Sequence, residues 1–287
     1  MALIRSRVEA VAAALTGVDL RAVEVIESGD PQYKAVARVA SVYGPPGVAL
    51  VVGNALVSYR LSLPGEVYWE EFADHLESRG PRLQPEKAAE IVAEFIRSSR
   101  GNRMVLEQKI ARLRRAAPAL AELARNPFSY TDLTSLIALL RRSLQVRGDE
   151  KTVVFAAKMA YYFYRALGLA VRGREEVPLP VDRRMALLTS TSRMVEAPPE
   201  EIMASLRREA LKAWRSVSEA SGIPMLNLDA LVWLPARGIE RLLRTGLGVA
   251  RDEYARRLVS QSRGLIGWAK ARRIAAEVLY REPVTRR

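Results

Sequence analysis

Apolar residues recur along most of this chain at intervals of three and four, the spacing that places them on one face of an α-helix. The first segment shows the repeat at Ile4, Val8, Val11 and Leu15. Similar segments follow between breaks that contain proline or glycine, and few stretches alternate as a strand would. The pattern therefore predicts an all-α fold.

The segment Ser28 to Tyr33 predicts a helix start. Asp30 is expected to be the N-cap and Pro31 the first helical residue, which places Gln32 in the first turn. Gly44-Pro45-Pro46-Gly47 is predicted as a loop. Both segments therefore mark ends of helices, because they contain the residue types that helix ends and turns prefer.

Residues 48–63 are apolar nearly all round. They could form a buried strand followed by a turn, or one buried helix, and their length favours the helix. Asn54 and Ser58 lie one turn apart on that helix, where polar groups need partners or a function. We therefore treat both as candidate supporting residues of a site.

Three further helices are predicted before residue 118, the middle one an amphipathic helix at 86–99. The first of them begins with the segment 67–78, which places Trp69 in its first turn. Residues 102–117 form the last, with Leu106, Ile110 and Leu113 facing inward and Lys109, Arg112, Arg114 and Arg115 facing solvent. That basic face is either a phosphate-contacting surface or an ordinary solvated face.

The stretch from Gly148 to Asp182 carries the candidate chemistry. Residues 153–168 have a helical repeat that ends at a glycine, so Lys151 falls in the first turn. The amino end of a helix disfavours a cation, which makes a lysine there a candidate for a task beyond solubility. Helical spacing places Lys151, Phe155, Lys158 and Tyr162 on one stripe.

Composition limits the chemistry that this chain can perform. It has 7 lysines among 45 basic residues, so a lysine that could serve as an amine nucleophile is an unusual choice over arginine. The absence of cysteine excludes disulfides, iron–sulfur clusters and thiolate zinc sites, and the single histidine, His75, lies in an ordinary helical context. Lysines and carboxylates remain as catalytic candidates, and no metal or cofactor is expected.

The net charge of +13 predicts a polyanionic partner, with nucleic acid favoured over an anionic membrane surface. A thermophile-type surface rich in arginine is the alternative explanation. No apolar run has transmembrane length and no secretory signal precedes the first helix, so we expect a cytoplasmic, nucleoid-associated protein.

Six blocks, in this order, resemble the archaeal 8-oxoguanine DNA glycosylases of the AGOG family, within the helix-hairpin-helix (endonuclease III) superfamily. They are DPQY (30–33), NALVSYRL (54–61), VYWEEF (67–72), KTVVFAAK (151–158), LPVDRR (179–184) and GIPMLNLDALVWL (222–234). The hairpin at about 143–150 departs from the common two-glycine form of the superfamily.

The resemblance implies a bifunctional N-glycosylase and abasic-site lyase that excises 8-oxoguanine in base excision repair. Lys151 matches the catalytic lysine and Asp182 the catalytic aspartate. Trp69, Phe155 and Trp233 match the walls of the pocket for the extruded base. The polar groups that recognise its edges are matched by Gln32, Lys158 and Asp229.

The same resemblance implies two helical lobes with the active site in the cleft between them. We expect a glycosylase core at 1–250 and a basic helical extension at 251–287. The expected partner is double-stranded and also single-stranded DNA containing 8-oxoguanine, bound by a monomer. The alternative is a non-enzymatic basic helical module that binds nucleic acid, which would need the basic surface but no Lys–Asp pair.

Overall fold

α-Helices account for most of the chain that the computed structural model describes, which is residues 3–146 and 151–284. Over those ranges there is no β-strand, only isolated bridges between Leu3 and Val195 and between Asp132 and Arg172. The all-α fold predicted from the apolar repeat is therefore confirmed. None of the described helices combines the length and the apolar character needed to cross a membrane.

The chain divides into two units by its internal contacts, Met1–Gly29 with Pro178–Arg287 as the first and Asp30–Val177 as the second. The first unit contains α1 (Arg5–Leu15), α2 (Leu20–Ser28), α10 (Arg183–Thr191), α11 (Pro199–Ala204), α12 (Arg207–Ser221), α13 (Met225–Trp233), α14 (Ile239–Leu243), α15 (Leu247–Gln261) and α16 (Trp268–Val278). The second contains α3 (Pro31–Tyr43), α4 (Val48–Val57), α5 (Gly65–Arg79), α6 (Ala88–Ser98), α7 (Leu106–Arg125), α8 (Leu133–Leu144) and α9 (Lys151–Ala166). Two units agree with the two predicted lobes, and the cleft between lobes stays a prediction.

Helix α4 lies at the centre of the second unit. All of its residues are buried, and it packs against α9, α7 and α6. Gly53 permits the close approach, since a Cβ there would come within 3.1 Å of Leu120 and 3.2 Å of Val92. The apolar segment is thus one buried helix, as its length favoured. It is shorter than predicted, because Ser58 is its C-cap and not a helical residue.

One turn segment differs from its prediction, and a side-chain cap fixes the start of a later helix. Pro45–Gly47 forms a 3-10 helix where a loop was predicted, because Gly44 adopts a positive φ of 59° and the two prolines continue with helical φ values. Helix α8 starts at Leu133 because the side chain of Asp132 caps it, accepting from the Thr134 backbone N–H at 2.9 Å.

The prediction that Lys109 faces solvent is wrong. Ile110 and Leu113 on α7 are buried as predicted, but Lys109 is also fully buried. The loop before α7 folds over this lysine, and its ammonium donates to the Asn102 side-chain carbonyl. The Tyr59 ring lies 4.9 Å from the same nitrogen. Tertiary packing of that loop, which the helical period does not encode, decides the burial.

The C-terminal helices belong to the core of the first unit. Helix α15 spans the predicted boundary at residue 251 and packs against α16, which in turn packs against α1. The buried hydroxyl of Tyr254 on α15 donates to the Val232 carbonyl on α13 at 2.9 Å. Residues beyond 251 therefore support the helix that carries Asp229 and Trp233.

Candidate active site

Lys151 is the first residue of α9 and its side chain is exposed. This confirms its predicted place in the first turn of that helix. The predicted hairpin at 143–150 starts later than expected, because residues 143 and 144 still belong to α8 and Gln145 is its C-cap, with a left-handed φ of 54°. Residues 147–150, the second half of that hairpin, lie outside the described part of the chain.

The stripe that begins at Lys151 runs from the surface into the interior of the second unit. Phe155 is half-buried, whereas Lys158 and Tyr162 are buried. The ammonium of Lys158 lies 5.6 Å from the centroid of the Tyr162 ring. The two lysines of the stripe therefore occupy opposite environments, one exposed at the helix start and one enclosed.

Trp69 lies in the second turn of α5, not in the first turn as predicted, because the helix already starts at Gly65. Its indole is buried and meets the Phe155 ring edge-to-face, with ring centroids 6.0 Å apart and an interplanar angle of 71°. A second edge contact, at 5.6 Å, joins Trp69 to Phe72. The structure thus brings together two of the predicted aromatic residues within the second unit.

Gln32 lies in the first turn of α3 as predicted, and Asp30 is the N-cap. Oδ1 of Asp30 accepts from the Gln32 backbone N–H at 2.9 Å. The side-chain amide of Gln32 lies against the start of α5, where a Cβ on Gly65 would come within 3.2 Å of Gln32 Nε2. Gly65 therefore leaves room for the amide that was predicted to recognise a base edge.

Asp30 has a second role that the sequence did not indicate. Its side chain is buried, and Oδ2 accepts from the Tyr162 hydroxyl at 3.2 Å. Burial raises the pKa of Asp30, and the charge of Lys158 opposes that rise. Asp30 is thus the electrostatic partner of a predicted base-contacting lysine, and only its N-cap position was visible in the sequence.

Asn54 and Ser58 belong to a buried polar network next to Trp69. Asn54 Oδ1 accepts from the Tyr68 hydroxyl, which itself accepts from Asn102 Nδ2 at 2.9 Å. Asn102 Oδ1 in turn accepts from Lys109. Ser58 donates to the Asn54 backbone carbonyl at 2.7 Å. Both predicted supporting residues therefore have hydrogen-bond partners, and the network holds Tyr68, which precedes Trp69 in the chain.

Asp182 is the N-cap of α10 in the first unit. Its Oδ1 accepts from the Met185 backbone N–H at 2.9 Å. Its Oδ2 accepts from the indole Nε1 of Trp233, also at 2.9 Å. Two residues predicted separately, as catalytic aspartate and pocket wall, are therefore in direct contact.

Trp233 is half-buried at the end of α13, and Arg184 contacts it twice. The guanidinium carbon of Arg184 lies 3.7 Å from the centroid of the indole ring, and Nη1 donates to the Trp233 carbonyl at 3.2 Å. A cavity of about 290 Å³ in the first unit is lined by Asp182, Arg184 and Trp233 together with neighbouring residues. Arg184 is a site residue that the sequence analysis missed.

Asp229 lies one turn before Trp233 on α13 and is buried. The same helix carries the buried Asn227, whose Nδ2 donates to Glu27 Oε1 on α2 at 3.0 Å. Helix α13 is therefore fixed against α2 by a polar contact as well as by packing. The buried carboxylate of Asp229 is a hydrogen-bond acceptor, suited to donor groups.

The chain is similar in sequence to a family of known proteins. The family model described as "AGOG: N-glycosylase/DNA lyase" matches residues 12–267. An N-glycosylase/DNA lyase of Aeropyrum pernix is 38% identical over 237 residues, covering 79% of this chain and 82% of the relative. One of Methanopyrus kandleri is 34% identical over 255 residues, covering 86% and 92%.

A solved structure is similar as well. It is the crystal structure of the 8-oxoguanine DNA glycosylase Pa-AGOG from Pyrobaculum aerophilum in complex with 8-oxoguanosine. It matches with a TM-score of 0.70 and 29% identity, covering 82% of this chain and 90% of that chain.

Proposed function

Because this chain belongs to the AGOG family of N-glycosylase/DNA lyases, we propose that it excises 8-oxoguanine from DNA and then cleaves the strand at the resulting abasic site. The observation that carries the proposal is the exposed side chain of Lys151 at the start of α9. Of the two lysines on that stripe, Lys158 is enclosed. Lys151 is therefore the stripe's amine that a DNA sugar can reach.

Lys151 is the nucleophile of the proposed reaction. Attack requires the neutral amine form of this lysine, which an arginine could not supply. The lone pair of Nζ forms a bond to the anomeric carbon, and the glycosidic bond breaks with its electron pair leaving on the base. The departing base takes up a proton. The target nucleotide must first be extruded, because its sugar carbon is shielded inside a duplex.

Strand cleavage follows from the same amine. The sugar ring opens as the bond between the anomeric carbon and the ring oxygen breaks, which leaves an imine between Lys151 and the opened sugar. That imine acidifies the adjacent C–H. Loss of this proton expels the 3′-phosphate by β-elimination, and water hydrolyses the imine to release the enzyme.

Asp182 stabilises the positive charge that develops on the sugar as the glycosidic bond breaks. Its two carboxylate oxygens are held by the Met185 N–H and the Trp233 indole. A carboxylate that is already oriented costs no reorganisation at the moment of reaction. This position suits electrostatic stabilisation, and Asp182 also helps to move the proton of the lysine.

Base recognition is assigned to the remaining predicted residues. Trp69, Phe155 and Trp233 supply aromatic surface, and base–aromatic stacking contributes about 1–3 kcal/mol per base. Asp229 accepts from donor groups on the Watson–Crick edge of the base. Gln32 and Lys158 contribute the other polar contacts.

The test is incubation with a duplex that contains a single 8-oxoguanine, in the presence of borohydride. Reduction of the imine should covalently join the wild-type protein to the DNA. Lys151→Gln should abolish both the crosslink and excision while still binding DNA. Asp182→Asn should slow both by about 10²–10³, the range for loss of one electrostatic stabiliser.

The matched control is Lys34→Gln, which removes another exposed lysine of the second unit and should react as wild type. A crosslink formed by Lys151→Gln would assign the nucleophile to another amine, with Lys158 as the first to examine. No scission by the wild-type protein would favour the non-enzymatic binding module.

A further inference from the structure

Trp233 makes one contact with Asp182 and two with Arg184. Its indole N–H donates to Asp182 Oδ2 at 2.9 Å. One face of its ring is covered by the Arg184 guanidinium at 3.7 Å. Its backbone carbonyl accepts from Arg184 Nη1 at 3.2 Å. A residue that served only as an aromatic wall would not need the first of these contacts.

The contact to Asp182 fixes the orientation of its carboxylate. The backbone N–H of Met185 holds Oδ1, which alone would leave the plane of the carboxylate free to turn about that bond. The indole donor holds Oδ2 from a second direction. With both oxygens held, the carboxylate has one preferred orientation, and loss of the indole donor would leave only the helix cap.

Arg184 completes the arrangement. It lies two residues after Asp182 in the chain and returns to contact both the ring and the backbone of Trp233. A guanidinium stacked on an indole is a favourable cation–π pair, and its planar shape suits that contact better than an ammonium does. Trp233 therefore contacts both Asp182 and Arg184 within the first unit.

We propose that Trp233 and Arg184 are positioning residues that together set the orientation of Asp182 for the chemistry at the sugar. This inference rests on the proposed function, since it assigns Asp182 to that chemistry. One consequence is that an extruded base can stack only on the indole face opposite Arg184. Another is that Trp233 is needed even when the substrate has no base, because Asp182 also moves the proton of Lys151 as the imine forms on an abasic site.

The test uses duplex DNA with a preformed abasic site, on which base stacking contributes nothing. Trp233→Phe keeps an aromatic ring but removes the donor, and Arg184→Met keeps most of the side-chain bulk but removes the guanidinium. Each should lower the single-turnover rate of strand cleavage by about 10- to 100-fold, the range expected for losing a hydrogen bond in which one partner is charged. Affinity for DNA with a non-reactive abasic analogue should stay within about twofold.

The decisive comparison is made in the Asp182→Asn background. If Trp233 acts through the carboxylate, Trp233→Phe should slow the wild-type protein but have little further effect once Asp182 is changed. An equal slowing in both backgrounds would overturn the proposal. So would abasic-site cleavage by Trp233→Phe at the wild-type rate, which would make Trp233 a pocket wall only.

Matched controls separate these effects from loss of fold. Trp268→Phe changes an exposed tryptophan on α16, and Arg208→Met changes an exposed arginine on α12 of the same unit. Both controls should cleave the abasic site as wild type does. Failure of the wild-type protein to act on 8-oxoguanine while it still cleaves abasic sites would refute the proposed substrate and leave this test intact.

Discussion

Lys109 gives the most quantitative prediction that the structure supports. Its side chain is fully buried on α7, where burial lowers its pKa to about 8, assisted by the nearby charge of Arg60. Its ammonium donates to Asn102, and that contact leads through Tyr68 to Asn54. We predict that replacing it with methionine removes a large part of the dependence of folding stability on alkaline pH.

The sign follows from proton binding in the two states. The folded protein loses the Lys109 proton near pH 8, whereas a lysine in the unfolded chain keeps its proton to about pH 10.4. Between these values the unfolded state binds more protons, so stability rises with pH. With a lowered folded-state pKa of about 8, this linkage amounts to about 2.5 kcal/mol between pH 7 and pH 10.

The assay is urea unfolding followed by circular dichroism, for the wild-type protein and Lys109→Met at pH 7 and pH 10. From pH 7 to pH 10, the free energy of unfolding of the wild type should rise by about 2.5 kcal/mol more than that of the variant. Taking this double difference cancels the other titrating groups. Lys34→Met alters an exposed lysine, so its free energy of unfolding should change with pH as that of the wild type does.

A direct measurement can refute the reasoning. With only 7 lysines in the chain, NMR of lysine-labelled protein can follow each side chain through its titration. One signal should titrate near pH 8 and be missing from Lys109→Met. If no signal titrates there, or if the stability difference between the proteins is the same at both pH values, Lys109 is not a buried ammonium of this kind.

Two further predictions concern base recognition. Asp229→Ala should lose excision of 8-oxoguanine but retain cleavage of a preformed abasic site, and equal loss on both substrates would make Asp229 structural or general to catalysis. Gly65→Ala should push the Gln32 amide by a few tenths of an ångström, because the new Cβ would lie 3.2 Å from Gln32 Nε2. The rate of 8-oxoguanine excision should then fall severalfold, whereas the rate of abasic-site cleavage should stay unchanged. Gly248→Ala is the matched control, because its new Cβ would meet nothing within 4 Å. If Gly65→Ala excises 8-oxoguanine at the wild-type rate, the position of the Gln32 amide does not limit base recognition.

The sequence predicted the features that depend on neighbours along the chain. Asp30 and Pro31 start α3, Lys151 starts α9, and the apolar segment from residue 48 forms one buried helix. These follow from capping preference and helical period, which act over a few residues. The family resemblance rested on the same local blocks, and it selected candidate residues in both units.

The contacts that support those residues could not be predicted in this way. Asp182 and Trp233 are separated by 51 positions, and their hydrogen bond depends on how α10 and α13 pack. Asp30 meets Tyr162 across 132 positions. A helical period specifies which face of a helix is apolar but not which distant residue covers it. Arg184 was therefore missed although it lies inside one of the quoted blocks.

Lysine usage joins these observations in one physical argument. A permanent charge is costly to bury, and arginine stays protonated, whereas a lysine can release its proton. In a chain with 38 arginines, lysines stand at two buried positions, Lys109 and Lys158, and at the start of α9. A lysine at the two buried positions avoids a fixed positive charge there, whereas Lys34, Lys87 and Lys212 are exposed and need no such explanation. Lys151 differs from the two buried lysines because its side chain is exposed.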